Sequence, residues 1–189
     1  MTEKERSKTK GSIALKIVIP AAILLILAGI WFFKNAQTIE SGAVSANISN
    51  IEADNADFEL NITEAIDLDQ LKSYGLPILI DFGADSCIPC KEMAPVLIKL
   101  NGELRGKAII RFVDVWKYKS LATGYPVNVI PTQILIDANG NPYTPKGSNA
   151  SQFILYSAKD TKKHVFTAHE GGMTEAMIRA ALLEMGMKK

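Results

Sequence analysis

The chain has 189 residues, enough for one ordinary domain with an additional segment. Apolar residues make up 48% and charged residues 22%, with a formal net charge of +1. So small a net charge gives no reason to expect nucleic acid as a partner. The two cysteines are too few for a small secreted domain that is held together by several disulfides.

The first element along the chain is a long apolar segment at residues 13–33, in which 17–33 carry no charge. A helix that crosses the hydrocarbon core of a membrane needs about 20 residues. The alternative is a cleaved signal peptide, whose apolar region of about 7–15 residues is closely followed by small residues. Here the segment ends in the bulky Trp31, Phe32 and Phe33. An uncleaved transmembrane anchor is therefore expected.

The charges around this segment predict its orientation. Residues 1–16 contain Lys and Arg in excess over Glu, and basic residues stay on the cytoplasmic side. We therefore expect a single-pass protein of the cytoplasmic membrane, with a cytoplasmic tail at 1–12 and the anchor at 13–33. A polar linker at 34–57 would then lead to a domain at 58–189 on the extracytoplasmic side.

The domain alternates between strand and helix patterns, which predicts an α/β fold with a central mixed sheet flanked by helices. Apolar or alternating runs predict strands at 58–62, 78–82, 108–115 and 132–137, and a terminal hairpin from 152–158 and 164–168. Capping residues and periodicity predict helices from 63 to about 75, from 90 to 104, at 121–124, and after Thr174. Asn139-Gly140 is typical of a tight turn.

The two cysteines, Cys87 and Cys90, lie where the strand at 78–82 gives way to a helix. A bridge between them encloses only two residues and gains little loop entropy, so reactivity explains the pair better than stability does. Unpaired backbone N–H groups and the helix dipole stabilise a thiolate at a helix N-terminus. Cys87 is thus predicted to attack a disulfide, and Cys90, one turn on, to resolve the mixed disulfide.

Residues 81–95, Asp-Phe-Gly-Ala-Asp-Ser-Cys-Ile-Pro-Cys-Lys-Glu-Met-Ala-Pro, resemble the active-site segment of the thioredoxin superfamily. Ile130-Pro131-Thr132 resembles that family's cis-proline loop, and 170–172 its closing turn. The resemblance covers roughly 58–187. It implies a thioredoxin-like fold and thiol–disulfide exchange without a bound cofactor or metal.

The resemblance also assigns roles to individual residues. Cys87 and Cys90 match the exposed nucleophile and the buried resolving thiol, and Asp81 matches a buried carboxylate that accepts a proton. The positions expected to contact substrate flank the cysteines and the cis-proline loop: Ser86, Ile88, Pro89, Ile130 and Pro131. Departures from the family pattern include Gly83 and Ser86 where aromatic residues are usual. No lysine matches the one that lies near the family's buried acid, and Ile110 or Arg111 falls in its place. Trp116 follows Asp114 and is expected to pack either near the site or, as is favoured, in the core.

Pro89 beside Cys90 resembles the reducing members of the superfamily. An anchored reductase facing outward resembles proteins of cytochrome c maturation and disulfide repair, which take electrons from a membrane thiol transporter. Protein thiols and disulfides are the expected substrates. A disulfide oxidase or isomerase on the same fold, and a non-enzymatic metallochaperone or interaction module, remain open as alternatives. Zinc is not favoured, because there is no second Cys pair and His164 and His169 are expected far from the first.

Overall fold

A computed structural model describes residues 55–189, which form one five-stranded sheet with helices on both faces. The strands are β1 (Ile78–Gly83), β2 (Ile109–Asp114), β3 (Thr132–Ile136), β4 (Ile154–Ser157) and β5 (His164–Glu170). Their order in the sheet is β2-β1-β3-β5-β4. Only β1 and β2 run parallel, and the other neighbouring strands are antiparallel. The predicted mixed α/β fold is confirmed.

Within residues 55–189, three α-helices accompany the sheet: α1 (Leu68–Ser73), α2 (Ile88–Glu103) and α3 (Glu175–Glu184). Side chains of α2 and α3 pack against Leu79, Ile110 and Leu135 on one face. On the other face, Leu71 of α1 joins Ile78, Ile80, Phe82 and their neighbours. The strand residues alternate between the two clusters, as the pleat of a sheet buried on both faces requires.

The predicted strand at 58–62 was wrong. Residues Ala56–Phe58 form a 3-10 helix, because the Asn55 side chain accepts a hydrogen bond from the Asp57 backbone N–H and starts a turn. Sheet pairing in this part of the chain is limited to one parallel bridge between Asn61 and Phe112.

The helix predicted from residue 63 begins only at Leu68. Asp67, and not Thr63, is its N-cap, with the carboxylate accepting from the Gln70 N–H at 2.9 Å. The predicted turn at Asn139-Gly140 is confirmed: the Gly140 N–H donates to the Asp137 carbonyl at 2.9 Å, and one antiparallel bridge joins Ile136 to Pro142. The terminal hairpin and the Thr174 cap of α3 are also confirmed.

The chain is already fastened to the domain at Asp57, which the sequence pattern assigned to the linker. The Tyr74 hydroxyl donates to the Asp57 carboxylate at 2.8 Å, and Arg111 donates to the Asp57 carbonyl at 3.0 Å. The predicted tail at 1–12, the anchor at 13–33 and most of the linker lie outside the described residues. Within residues 55–189, no helix combines the length and the hydropathy needed to span a membrane.

Candidate active site

The cysteine pair lies at the junction between the central strand β1 and helix α2. Cys87 is the N-cap of α2 and forms a disulfide with Cys90, with Cα atoms 5.3 Å apart. The Cys90 backbone N–H donates to the Cys87 sulfur at 3.4 Å. A side chain in the N-cap position faces the unpaired N–H groups of the first turn, which favour negative charge on it. The fold therefore places the Cys87 sulfur where a thiolate is stabilised.

The two cysteines differ in how much solvent they reach. Cys87 keeps 9% of its surface exposed and Cys90 keeps 4%. Ser86, Ile88 and Pro89 around them are exposed, Ile88 by 72%. The prediction of a buried second cysteine is confirmed. The prediction of an exposed first cysteine was wrong, because Cys87 is buried in a cluster with Ala84 and Cys90, against which Ile130 packs.

The Ile130–Pro131 peptide bond is cis, as the resemblance implies. The carbonyl oxygen of Ile130 lies 4.0 Å from the Cys87 sulfur, and the Ile130 side chain packs against both cysteines and Ala84. The Pro131 carbonyl accepts from the Gly171 N–H at 2.8 Å, which fastens this loop to the end of β5. The Ile130 carbonyl thus lies directly beside the Cys87 sulfur.

A surface groove of about 600 Å³ continues from Ile130 along the loop that precedes it. It is lined by Val115, Trp116, Lys119, Ala122, Val127, Asn128, Val129 and Ile130. Trp116 is 64% exposed, so the prediction that it packs in the core was wrong. The side chain leaves the core because it follows the end of β2, where the Asp114 carboxylate accepts from the Trp116 N–H at 3.0 Å and turns the chain outward.

Asp81 is fully buried in the middle of β1. Burial raises its pKa from the ordinary 3.8 to about 7, while a hydrogen bond from Gln133 works in the opposite direction. The Gln133 amide donates to Asp81 Oδ1 at 2.7 Å. Among the described residues, Asp81 Oδ2 has no hydrogen-bond partner. A carboxyl group that titrates near neutral pH suits proton transfer to or from a thiol.

Gly83 lies next to both this carboxyl group and Cys90. A Cβ atom at Gly83 would lie 3.3 Å from Asp81 Oδ2 and 3.2 Å from the Cys90 sulfur. It would also lie 2.9 Å from the Phe112 ring, closer than real Cβ atoms come. The unpaired oxygen of Asp81 and the sulfur of Cys90 therefore both lie next to Gly83, where the only side chain that fits is a hydrogen atom.

Neither Ile110 nor Arg111, the residues at the position of the family's lysine, places a positive charge beside Asp81. Ile110 is buried in the core, and Arg111 turns to the opposite face of the sheet, where its guanidinium lies 3.8 Å from the Asp57 carboxylate. Burial lowers the pKa of Arg111, and Asp57 and Glu59 partly offset that effect. In the described part of the chain, Gln133 takes the place beside the acid.

Sequence reasoning missed two polar residues of this site, Gln133 and His169. Gln133 is fully buried, and its Oε1 lies 2.9 Å from Nδ1 of His169. The pairing of β5 with β3 brings His169, which was expected only in an edge hairpin far from the cysteines, beside Gln133. The available signal was Gln133 itself, a polar side chain within the otherwise apolar run of β3. Within residues 55–189, no group of three or more potential ligand side chains could hold a metal ion.

Comparison with known proteins gives consistent similarities. The family model described as thioredoxin matches residues 60–159, which is more than half of the chain. A thioredoxin-like protein of Synechocystis is 39% identical over 79 residues, covering 41% of this chain and 75% of that protein. A bifunctional thioredoxin reductase/thioredoxin of Mycobacterium leprae is 32% identical over 114 residues, covering 57% of this chain. The chain spans only 25% of that protein's length.

Solved structures are also similar to the chain, at lower identity. A mutant thioredoxin from Halobacterium salinarum aligns with 71% of this chain and 97% of its own, at 21% identity and a TM-score of 0.48. Mouse mitochondrial thioredoxin, compared by sequence, is 30% identical over 101 residues, covering 53% of this chain and 55% of that protein.

Proposed function

Because the chain belongs to the thioredoxin family, we propose that it is a thiol–disulfide oxidoreductase that acts on protein substrates through Cys87 and Cys90. The observation that carries the proposal is the Cys87–Cys90 disulfide at the N-terminus of α2, beside the Ile130 carbonyl. This arrangement combines a stabilised thiolate, a resolving thiol and a substrate edge within one small region.

In the reducing direction, the Cys87 thiolate attacks one sulfur of a substrate disulfide and forms a mixed disulfide. The other substrate sulfur leaves as a thiolate and takes up a proton. Cys90, as a thiolate, then attacks the Cys87 sulfur and releases the second substrate thiol. Two electrons pass to the substrate, and the protein is left with the Cys87–Cys90 disulfide. A dithiol donor must reduce this disulfide before the next cycle.

Asp81 is the proposed acceptor of the Cys90 proton. Its pKa of about 7 is closer to that of a thiol than an ordinary carboxyl pKa would be, which makes proton transfer near neutral pH more favourable. The approach of Oδ2 and the Cys90 sulfur around Gly83 supports this role.

The groove from Ile130 to Trp116 is the proposed substrate site. An extended peptide can pair with the exposed backbone at Ile130 as an added strand does, while apolar side chains fill the groove. Ser86, Ile88 and Pro89 are exposed on the cysteine side and would contact the substrate from there, with Pro131 shaping the loop.

We further propose that the protein is a reductase held at the cytoplasmic membrane by residues 13–33, with the redox domain on the extracytoplasmic side. The apolar segment and the basic residues that precede it support this location. Pro89 beside Cys90 supports the reducing direction by resemblance. Exported proteins, with apocytochrome c as one candidate, would be the substrates, and a polytopic membrane thiol transporter would supply electrons.

Insulin reduction by the purified full-length protein, driven by dithiothreitol, tests the activity. The wild-type protein should accelerate insulin precipitation, and Cys87→Ser should abolish the acceleration. Cys90→Ser should stall as a mixed disulfide that is visible on a non-reducing gel. An unreactive Cys87 in the folded protein would refute the proposal.

The redox potential tests the direction of electron flow. A value near that of thioredoxin, about −270 mV, is expected, whereas one near −120 mV would indicate an oxidant. Labelling Cys87 in intact cells with a membrane-impermeant maleimide, after mild reduction, tests the location. Labelling only after lysis would contradict an extracytoplasmic domain.

A further inference from the structure

Asp81, Gln133 and His169 occupy one row across three neighbouring strands. Asp81 of β1 is paired with Gln133 of β3, and Gln133 is paired with His169 of β5. Residues directly opposite one another in a sheet project to the same face. The row lies on the face covered by α2, because Leu79, two residues before Asp81, packs there with Met93 and Leu97.

The hydrogen bonds along this row admit one orientation of the Gln133 amide. Its Nε2 donates to Asp81 Oδ1 at 2.7 Å, and its Oε1 faces Nδ1 of His169 at 2.9 Å. An amide oxygen can only accept, so Nδ1 of His169 carries the hydrogen. If the amide were turned over, Oε1 would face the Asp81 carboxylate and repel it. The Asp81 carboxylate and the Nδ1–H of His169 therefore favour the same orientation of the Gln133 amide.

The hydrogen bonds of Gln133 with Asp81 and His169 are shielded from water, so water has little access to take the place of either partner. Gln133 is 0% exposed and His169 is 7% exposed. Met93 of α2 covers the row, with its sulfur 3.6 Å from Gln133 Nε2. The Phe153 ring packs edge-on against the His169 ring, with 5.7 Å between the ring centroids. Buried polar groups without a substitute partner are costly, so removing one member strongly affects the next.

Few other ionisable groups act on this row. The α2 helix contributes the Cys90 thiol, while its Lys91 and Glu92 are exposed. From β2, the pairing partner of Asp81 is Phe112, and Arg111 is engaged with Asp57 on the other face. At the β5 end, burial lowers the pKa of His169, and a hydrogen bond with the Gly171 backbone acts in the opposite direction.

We propose that Gln133 and His169 are positioning residues: His169 orients the Gln133 amide, which occupies Asp81 Oδ1 and leaves Oδ2 to receive the Cys90 proton. The inference rests on the proposed thiol–disulfide exchange for its functional meaning. A donated hydrogen bond stabilises the carboxylate, so Gln133 keeps Asp81 a competent base in a site where burial favours the neutral acid.

The test compares Asp81 ionisation in the oxidised full-length protein, followed by ¹³C NMR of its carboxyl carbon. In Gln133→Leu, the titration midpoint should move up by about one pH unit or more, since a hydrogen bond to a charged group is lost. His169→Leu should move it in the same direction by a smaller amount. His169→Asn places an amide N–H near the position of Nδ1 and should restore most of the wild-type midpoint.

His164→Leu is the matched control, because this second histidine of β5 bonds the Thr167 hydroxyl and not Gln133. It should leave the midpoint unchanged. A merely structural role of His169 predicts equal effects of Leu and Asn, and that result would overturn the proposal. So would an unchanged midpoint in Gln133→Leu. If Gln133→Leu does not fold, the His169→Leu and His169→Asn pair decides alone.

The functional consequence is measured separately. The rate at which Cys90 resolves the mixed disulfide is then measured as a function of pH. In each variant, the midpoint of this rate profile should move to higher pH by the same amount as the Asp81 titration midpoint. At a fixed pH below the midpoint, a shift of one unit means about a tenfold slower step. If no variant or wild-type protein forms a mixed disulfide, the proposed function fails, while the Asp81 titration still tests the positioning.

Discussion

The buried carboxyl group of Asp81 makes stability depend on pH in a predictable way. Its pKa rises from 3.8 in the unfolded chain to about 7 in the fold. Below pH 3.8 the group is neutral in both states. As pH rises from 3.8 to about 7, Asp81 loses its proton in the unfolded chain but keeps it in the folded protein, so the free energy of unfolding falls. At about 1.4 kcal/mol per pH unit, the fall is about 4 kcal/mol, and it persists above pH 7.

Asp81→Asn removes this ionisation while keeping an oxygen that accepts from Gln133. The free energy of unfolding of Asp81→Asn minus that of wild type should therefore increase by about 4 kcal/mol between pH 3.5 and pH 8.5. Urea unfolding of the oxidised protein, followed by circular dichroism at several pH values, measures this difference. Other titrating groups are common to both proteins and cancel.

Asp69→Asn is the matched control, because it makes the same change of carboxylate to amide at a side chain that is 98% exposed. If the Asp81→Asn difference varied by less than about 1 kcal/mol over the same range, Asp81 would titrate at an ordinary pKa. The assignment of Asp81 as the proton acceptor of Cys90 would then be lost too.

Three further substitutions test the packing and the groove. Gly83→Ala should lower the free energy of unfolding by about 1–3 kcal/mol, because its Cβ would meet the Phe112 ring at 2.9 Å; an unchanged urea midpoint would contradict this. Leu100→Ala, at a fully buried site in α2, should cost about 2–5 kcal/mol, against less than about 1 kcal/mol for the 42% exposed Leu183→Ala. Trp116→Ala should raise the KM for a protein disulfide about tenfold, while Leu183→Ala should not; equal KM values would exclude the groove as the substrate site.

Continuous apolar runs made the central strands predictable. The bounds of β1, β2 and β3 agree with the predicted ones to within about two residues, because strands buried on both faces need unbroken apolar sequence. The pattern at 58–62 alternates just as a strand does, yet a local Asn55 turn competes with sheet pairing there. The sequence offers two candidate N-caps for α1, Thr63 and Asp67, and the helix begins after Asp67.

The site was predictable where its residues are adjacent in sequence. The spacing of Cys87 and Cys90 predicts their chemistry, and resemblance supplied the cis bond at Pro131. The Gln133 and His169 contacts were not predictable, because they depend on the antiparallel placement of β3 between β1 and β5 and on the register of both pairings. That register is set by long-range contacts which no local pattern in the sequence records.

Large apolar side chains are exposed around the Cys87–Cys90 disulfide, with Ile88, Trp116 and Val129 exposed by 72%, 64% and 49%. Folded proteins bury most of the apolar side chains that would match these, whereas unfolded chains still expose them. These exposed apolar side chains would thus favour substrates that have not yet folded and whose cysteines are still accessible. Timing, more than any sequence motif, would then decide which disulfides it reaches.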